Sequence, residues 1–184
     1  MKPLVVVLAI VVALVAAAGV AVYRFGPKAF LWVEHVVAEE TERQKLAADW
    51  QPPAKDAGPD KLFPARIGEF ELASHDDQAA IPEFKFDLPG RHAAYRSPQG
   101  QVDVFVYQVS ELEREALLRR VDDAYESSKD GRRITKTPYR AYYSSPEFHQ
   151  NHFWWMKGWL FAFRSRDEQD REPFVMAYLR GNKQ

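Results

Sequence analysis

Three hydrophobic patterns follow one another along the chain. Leu4 to Val22 is an unbroken run of 19 residues without a charged or polar side chain. At about 1.5 Å per residue, such a helix nearly matches a hydrocarbon core of about 30 Å. Tyr23, Phe25, Phe30 and Trp32 follow as an interfacial aromatic belt would, and Arg24 and Lys28 supply a polar stop. The pattern then fades. Lys28 to Asp49 reads as a helix whose first half is apolar (Phe30, Leu31, Val33, Val36, Val37) and whose second half is charged (Glu39, Glu40, Glu42, Arg43, Lys45), with Glu39 and Arg43 spaced i,i+4. Beyond Asp60 the period becomes two, with one helical interlude and one helical end.

Breakers divide these patterns into four segments. Residues 1–25 form a transmembrane signal anchor, 26–50 a juxtamembrane helix, 51–60 a Pro-rich linker and 61–184 a soluble α+β domain. Pro52, Pro53, Gly58 and Pro59 make 51–60 an extended spacer. The competing reading of the N-terminus is a cleaved signal peptide, with Leu4–Val15 as its apolar core and Ala16-Ala17-Ala18 meeting the small-residue cleavage rule. The longer apolar run and the aromatics after it favour the anchor. Ala9, Ala13, Ala17 and Ala21 recur every four residues, a spacing that lets a second helix approach closely.

Within 61–184 the alternation predicts a sheet. Gly68–Ala73 reads as a first strand, and Phe84, Phe86 and Leu88 as a short second one. His92–Arg96 and Gln101–Val109 form a hairpin around Ser97-Pro98-Gln99-Gly100. Apolar residues on both faces of its second arm predict a central strand. Ser110-Glu111-Leu112-Glu113 is a capping box, and a helix follows to about Ser128 with Leu117, Leu118, Val121, Ala124 and Tyr125 on one face. Ile134–Thr137 and Tyr139–Ser144 are strand candidates. Phe148–Met156 and Trp159–Arg166 pair around Lys157-Gly158, with Trp154 opposite Phe161 and His152 opposite Phe163. A last helix runs to about Arg180, with Phe174, Val175, Tyr178 and Leu179 as its apolar stripe.

The order strands–helix–strands–helix predicts an α+β domain: an antiparallel β-sheet with helices packed on it. This order over residues 61–184, ending in the short helix Pro173–Leu179, resembles the PsbP-like fold group. That resemblance implies an extracytoplasmic, membrane-tethered accessory protein and assigns no residue a role.

Charge and composition narrow the function. The 25 Lys+Arg balance 26 Asp+Glu, so the chain lacks the basic excess of a dedicated nucleic-acid binder. Without cysteine there is no disulfide scaffold, thiolate metal site, thiol nucleophile or lipoprotein anchor. Neither a phosphate loop (G-x-G-x-x-G or G-K-[ST]) nor the hydrolase signatures G-x-S-x-G and H-E-x-x-H occur. His149 and His152 lie three apart on a predicted strand and so face opposite sides, which disfavours a shared metal. No enzymatic activity, metal or cofactor is expected.

Two clusters are candidate surfaces. Lys129, Arg132, Arg133, Lys136 and Arg140 form a basic run opposed locally only by Asp130, suited to anionic lipid headgroups or an acidic partner. Its bland reading is a solvated loop. Ten aromatic residues fall between Tyr139 and Phe163, of which Tyr142, Tyr143, Trp154 and Trp159 are candidates for a partner or ligand surface. Their bland reading is a large-residue core. The expectation is a single-pass, non-enzymatic protein of the inner (plasma) membrane, its C-terminal domain in the periplasm or outside the cell and binding a protein partner there. A cytoplasmic domain stays open, because the flanking positive charges tie. The alternative function is a small-molecule or lipid-binding domain that uses an aromatic sheet face.

Overall fold

The computed structural model describes residues 37–77, 81, 84, 88–166 and 171–181. The chain divides into two compact units, Met1–Ala48 and Asp49–Gln184. Of the first unit, the described part is helix α1, which is helical over 37–49 and carries the expected Arg43 Nη2 to Glu39 Oε2 bond at 3.1 Å. Residues 1–36, with the predicted anchor and its alanine row, lie outside the described residues. Among the described residues no helix is long and apolar enough to cross a membrane.

The second unit is built on eight strands. A short turn of helix, α2 (Pro59–Leu62), precedes β1 (Arg66–Ile67), β2 (Phe70–Asp76), β3 (Gly90–Ser97) and β4 (Gly100–Gln108). Helix α3 (Glu111–Ser127) leads to β5 (Arg132–Lys136), β6 (Arg140–Ser145), β7 (His149–Met156) and β8 (Trp159–Ser165), and α4 (Glu172–Gly181) follows. The strands form one sheet in the order β1-β2-β3-β4-β8-β7-β6-β5, antiparallel throughout. Two four-stranded meanders thus meet through their last strands. Helix α3 carries the chain from the middle of the sheet to its far edge.

The central position of β4 explains its composition. Val102, Val104 and Val106 are buried on one face, Phe105 and Tyr107 on the other. The second face carries α3, whose Leu117, Leu118, Val121 and Tyr125 join Phe105, Tyr107, Tyr143, Phe153, Trp155 and Leu160 in one core cluster. The first face carries α4. Phe174 packs edge-on to Tyr95 at 5.4 Å, and Tyr178 edge-on to Phe163 at 5.2 Å.

Local signals set the element ends. Ser110 accepts from the Glu113 N–H at 3.3 Å, and Glu113 Oε2 accepts from the Ser110 N–H at 2.8 Å, closing the capping box. Gly131 follows α3 because a Cβ there would lie 2.0 Å from the Tyr125 carbonyl oxygen. Lys157 (φ 48°) and Gly158 (φ 81°) both take left-handed conformations, as a two-residue hairpin turn matched to strand twist demands. The register of that hairpin is the expected one, with Met156 opposite Trp159 and Trp154 opposite Phe161.

Three expectations require correction. Gly68 and Glu69 form the turn between β1 and β2, with Gly68 at φ 59°, so the first strand begins at Phe70. No described residue between Ile81 and Leu88 belongs to a regular strand. Ile81 makes an isolated bridge, the buried Phe84 donates its N–H to the Ile81 carbonyl at 3.0 Å, and Phe86 lies outside the described residues. The segment expected as a spacer is laid onto the domain. Pro53 and Ala57 of the expected spacer are buried, and so is Trp50, the last residue of the expected juxtamembrane segment, which packs edge-on to Phe161 at 5.4 Å. Lys157 Nζ donates to the Trp50 carbonyl at 2.6 Å and Gln108 Nε2 to the Lys55 carbonyl at 2.8 Å. Proline stiffness, read as an extended tether, here holds a chain that lies along the second unit.

Candidate functional site

The four candidate aromatics do not share a surface. Successive strand residues point to opposite faces. Tyr143 therefore lies beneath α3, fully buried, and donates its hydroxyl to Asp122 Oδ1 at 2.8 Å. Tyr142, Trp154 and Trp159 lie on the other face. Trp154 is buried between Tyr139, at a ring distance of 5.3 Å, and the Arg140 guanidinium, 5.7 Å from its ring. Trp159 is 6% exposed and stacks on Phe161 at 6.4 Å. Only Tyr142 is half-exposed, and its ring lies flat on His152 at 3.9 Å. Three of the four belong to the core, because both sheet faces are covered where they sit.

The basic run is likewise divided. Arg133 and Lys136 both reach Asp122 on α3, at 3.2 and 2.5 Å. Arg140 is buried on the opposite face and pairs with Glu172 of α4 at 3.1 Å. The sequence shows only Asp130 nearby, whereas folding brings Asp122 and Glu172 to the run. Lys129 and Arg132 stay exposed and form no ion pair among the described residues.

Among the described residues, three carboxylates are held below their usual pKa range: Glu113 by its hydrogen bonds from Ser110, and the partly buried Asp122 and Asp103. Burial alone would raise Asp122, but hydrogen bonds from Lys136, Tyr143 and Arg133 outweigh it and hold the carboxyl below its usual range. Asp103 behaves alike. Burial opposes ionisation, yet His92 Nε2 at 3.0 Å, Gln101 and the Arg164 charge keep it low. Burial pushes the Tyr143 phenol well above its ordinary value, and the bond to Asp122 adds to that. Each of these groups is tied into the scaffold, and Asp122, Asp103 and Tyr143 face no open cleft among the described residues.

The described residues line open space at two places on the sheet. One cleft of about 390 Å³ sits between Lys55, Leu62, Arg91, Gln108 and Trp159. A neighbouring space of about 380 Å³ adds Val109, Ser110 and Lys157. Their polar groups are committed: Arg91 donates to the Ala57 carbonyl, Gln108 to Lys55, Lys157 to Trp50, and Glu113 closes the cap of α3. These side chains hold the 50–57 segment down.

The second cleft, of about 680 Å³, lies at the other end of the face that carries α4. Its lining includes Arg132, Ile134, Tyr142, Ser144, Gln150 and Arg166. The register explains why it is polar. Arg132 lies opposite Ser144, Ser144 opposite Gln150, and Gln150 opposite Ser165. One row across four strands is thus hydrophilic, while the next row toward the middle holds Tyr142, His152 and Phe163. Sequence reasoning named Arg132 and Tyr142 here and missed Ser144, Gln150 and Arg166. A signal was present: in β7 the inward positions Gln150, His152, Trp154 and Met156 are aromatic or apolar toward the turn and polar at the far end.

No protein-family model matches the chain, and no curated protein matches it. Among solved structures it is similar to the crystal structure of a GTP-binding regulator from Thermotoga maritima, at 17% identity and a TM-score of 0.53. The match covers 72% of this chain and 92% of that one. At that identity the likeness is one of fold alone.

Proposed function

We propose that this chain is a membrane-anchored, non-enzymatic, extracytoplasmic accessory protein whose α+β domain binds a protein partner in the cell envelope. The observation that carries the reading is the filling of the sheet. A ligand domain using the aromatic face would need open apolar space beside Trp154, which is buried, whereas the cleft that Trp159 borders is lined by Arg91 and Gln108, whose side chains hold the 50–57 segment. Among its described residues, the second unit offers two exposed large apolar side chains, Leu112 in the first turn of α3 (71% exposed) and Ile134 on the edge strand β5 (52% exposed), of which Ile134 lies between Arg132, Arg133 and Lys136. An apolar side chain flanked by cations on an unpaired edge suits an acidic protein segment. The anchor rests on the apolar run Leu4–Val22, and the PsbP-like assignment on the order of elements.

The neighbour's description as a regulator, carried here only as part of this proposal, suits a protein that acts through a partner. Its GTP-binding part finds no phosphate loop in this sequence. A photo-crosslinking residue placed at Ile134 in the full chain, expressed in its native membrane, is expected to give one discrete protein adduct. The same probe at exposed Glu126 on α3 should give none. Absence of an adduct at 134, or equal labelling at both positions, would sink the reading. Recovery of a membrane-fraction peptide retaining Lys2 tests the anchor, and a mature chain beginning at Gly19 would replace it with a cleaved signal.

A further inference from the structure

We propose that the cleft beside β5, β6 and β7 binds a small molecule that carries an oxyanion together with a neighbouring hydroxyl, as in a hydroxy acid or a polyol phosphate. Gln150 is the starting observation. It is 8% exposed, and among the described residues no donor reaches its Oε1. A buried amide oxygen left unpaired costs about 1–3 kcal/mol, and native structures leave few of them. Gln150 lines the cleft, midway along the row Arg132, Ser144, Gln150 and Ser165. A ligand hydroxyl placed there would donate the missing bond.

The second observation is charge. Arg132 and Arg166 line the cleft, and neither forms an ion pair among the described residues. Every other arginine of the basic run is paired: Arg133 with Asp122 and Arg140 with Glu172. Asp130 is the one carboxylate in the lining, and the His149 ring and the Tyr142 phenol are the other titratable groups there besides the arginines. Two guanidiniums against one carboxylate favour an anion, and the planar fork of Arg matches carboxylate or phosphate oxygens. Ile134 and Tyr142 give an apolar wall for the ligand's carbon part. The volume of about 680 Å³ is in the range of small-molecule sites. The cleft at the opposite end of the sheet has no such surplus, because Lys55 and Arg91 are balanced there by Asp77 and Glu113, and Arg91, Gln108 and Lys157 hold carbonyls of the 50–57 segment.

The test uses the full chain in a non-ionic detergent, titrated by calorimetry with malate, succinate, glycerol 3-phosphate and inorganic phosphate. Saturable binding of malate or glycerol 3-phosphate with a Kd of about 1 mM or tighter is expected. Succinate and inorganic phosphate, which lack the hydroxyl beside the anion, should bind more weakly. Binding of malate alone assigns the site to carboxylates, and of glycerol 3-phosphate alone to phosphates. The double variant Arg132→Ser, Arg166→Ser should lose about tenfold or more in affinity, whereas Lys129→Ser, outside the cleft, should not. Gln150→Leu should remove the preference for malate over succinate and raise Tm, since it deletes an unpaired buried group. Failure of both hydroxylated anions to saturate would overturn the proposal. So would unchanged binding by a folded double-arginine variant, or an equal loss in Lys129→Ser, which would reduce the effect to general charge.

Discussion

The two faces of the sheet are covered in different ways. On one, a single 17-residue helix with a closed capping box lies over Phe105, Tyr107, Tyr143, Phe153 and Trp155. On the other, the 10-residue α4 shares the work with the segment from Trp50 to Phe63. There Trp50 meets Phe161, and the Tyr178 hydroxyl donates to the Leu62 carbonyl at 2.6 Å. The first cover is a local device, self-specified by its own caps and periodicity. The second is assembled from residues more than a hundred positions apart, and its polar contacts replace regular secondary structure. The aromatic patch under this cover, Trp159, Phe161 and Phe163, tolerates it because large flat rings offer area without demanding a helical ridge pattern.

The sharpest way to break this comparison is to remove one large side chain from each face. Trp155→Ala, beneath α3, is expected to destabilise by about 3–5 kcal/mol, as deletions of buried large aromatics do. Trp50→Ala should cost a similar amount, because the indole is fully buried. Against a total of roughly 5–15 kcal/mol, either loss is visible as a lower urea midpoint. If the chain ahead of residue 61, the juxtamembrane helix to residue 50 and the 51–60 spacer, were free of the domain, Trp50→Ala would be neutral. A neutral result would restore 61–184 as the domain boundary.

A finer comparison uses one buried phenol on each face. Tyr125 Oη donates to the His149 carbonyl at 3.1 Å and accepts from Asn151 Nδ2 at 2.7 Å. The Tyr178 hydroxyl donates to the Leu62 carbonyl at 2.6 Å. Tyr125→Phe and Tyr178→Phe each leave a buried partner without its bond, at a cost of about 1–3 kcal/mol. The Tyr125 change should be the larger, since two partners are affected. The reverse order, read from denaturant midpoints, would mean that the α4 face is the more rigid.

This contrast also marks what was legible in the sequence. The capping box, the apolar stripe of α3 and both tight hairpins are written in residues within a few positions of one another. They were read with their register, Trp154 opposite Phe161 included. The burial of Trp50 is not local: proline and glycine signal a break in regular structure but are silent on whether the broken chain is packed. Likewise the basic run looked unopposed because Asp122 and Glu172 arrive from other elements. The site was half-visible. Arg132 and Tyr142 stood out by type, while Gln150 acquires meaning only when the β6–β7–β8 register places it in a buried polar row.

Ser110→Ala addresses the local nature of the α3 cover. It removes the acceptor for the Glu113 N–H and the partner of Glu113 Oε2. A loss of about 1 kcal/mol is expected, typical of N-cap deletions. Ser110→Asp, which keeps an acceptor and adds favourable charge at the helix start, should recover most of it. If both variants melt alike and below the parent, the serine matters through packing rather than through capping.

The smallest effect concerns acid, and it too divides the faces. Asp122, Asp103 and Glu113, the carboxylates held below their usual pKa range among the described residues, all belong to the side of the sheet that carries α3. A carboxyl that is more acidic folded than unfolded binds fewer protons in the native state, so folding is favoured where it is ionised. The contribution is complete above the unfolded value, about 3.9 for Asp, and is lost as pH falls through the lower folded value. Stability should therefore change little from neutral pH down to about 5 and decline below about 4, with Asp122, Asp103 and Glu113 all contributing to the decline. Asp122→Asn should flatten part of that slope while retaining an acceptor for the Tyr143 hydroxyl. The change is modest because Arg133 and Lys136 are exposed and their attraction is screened by salt. Repeating the titration at high salt should shrink the Asp122 contribution more than that of Asp103, whose closest partner, His92, is less exposed. Equal shrinkage would place the Asp122 stabilisation in its short bond to the buried Tyr143 rather than in its surface cations.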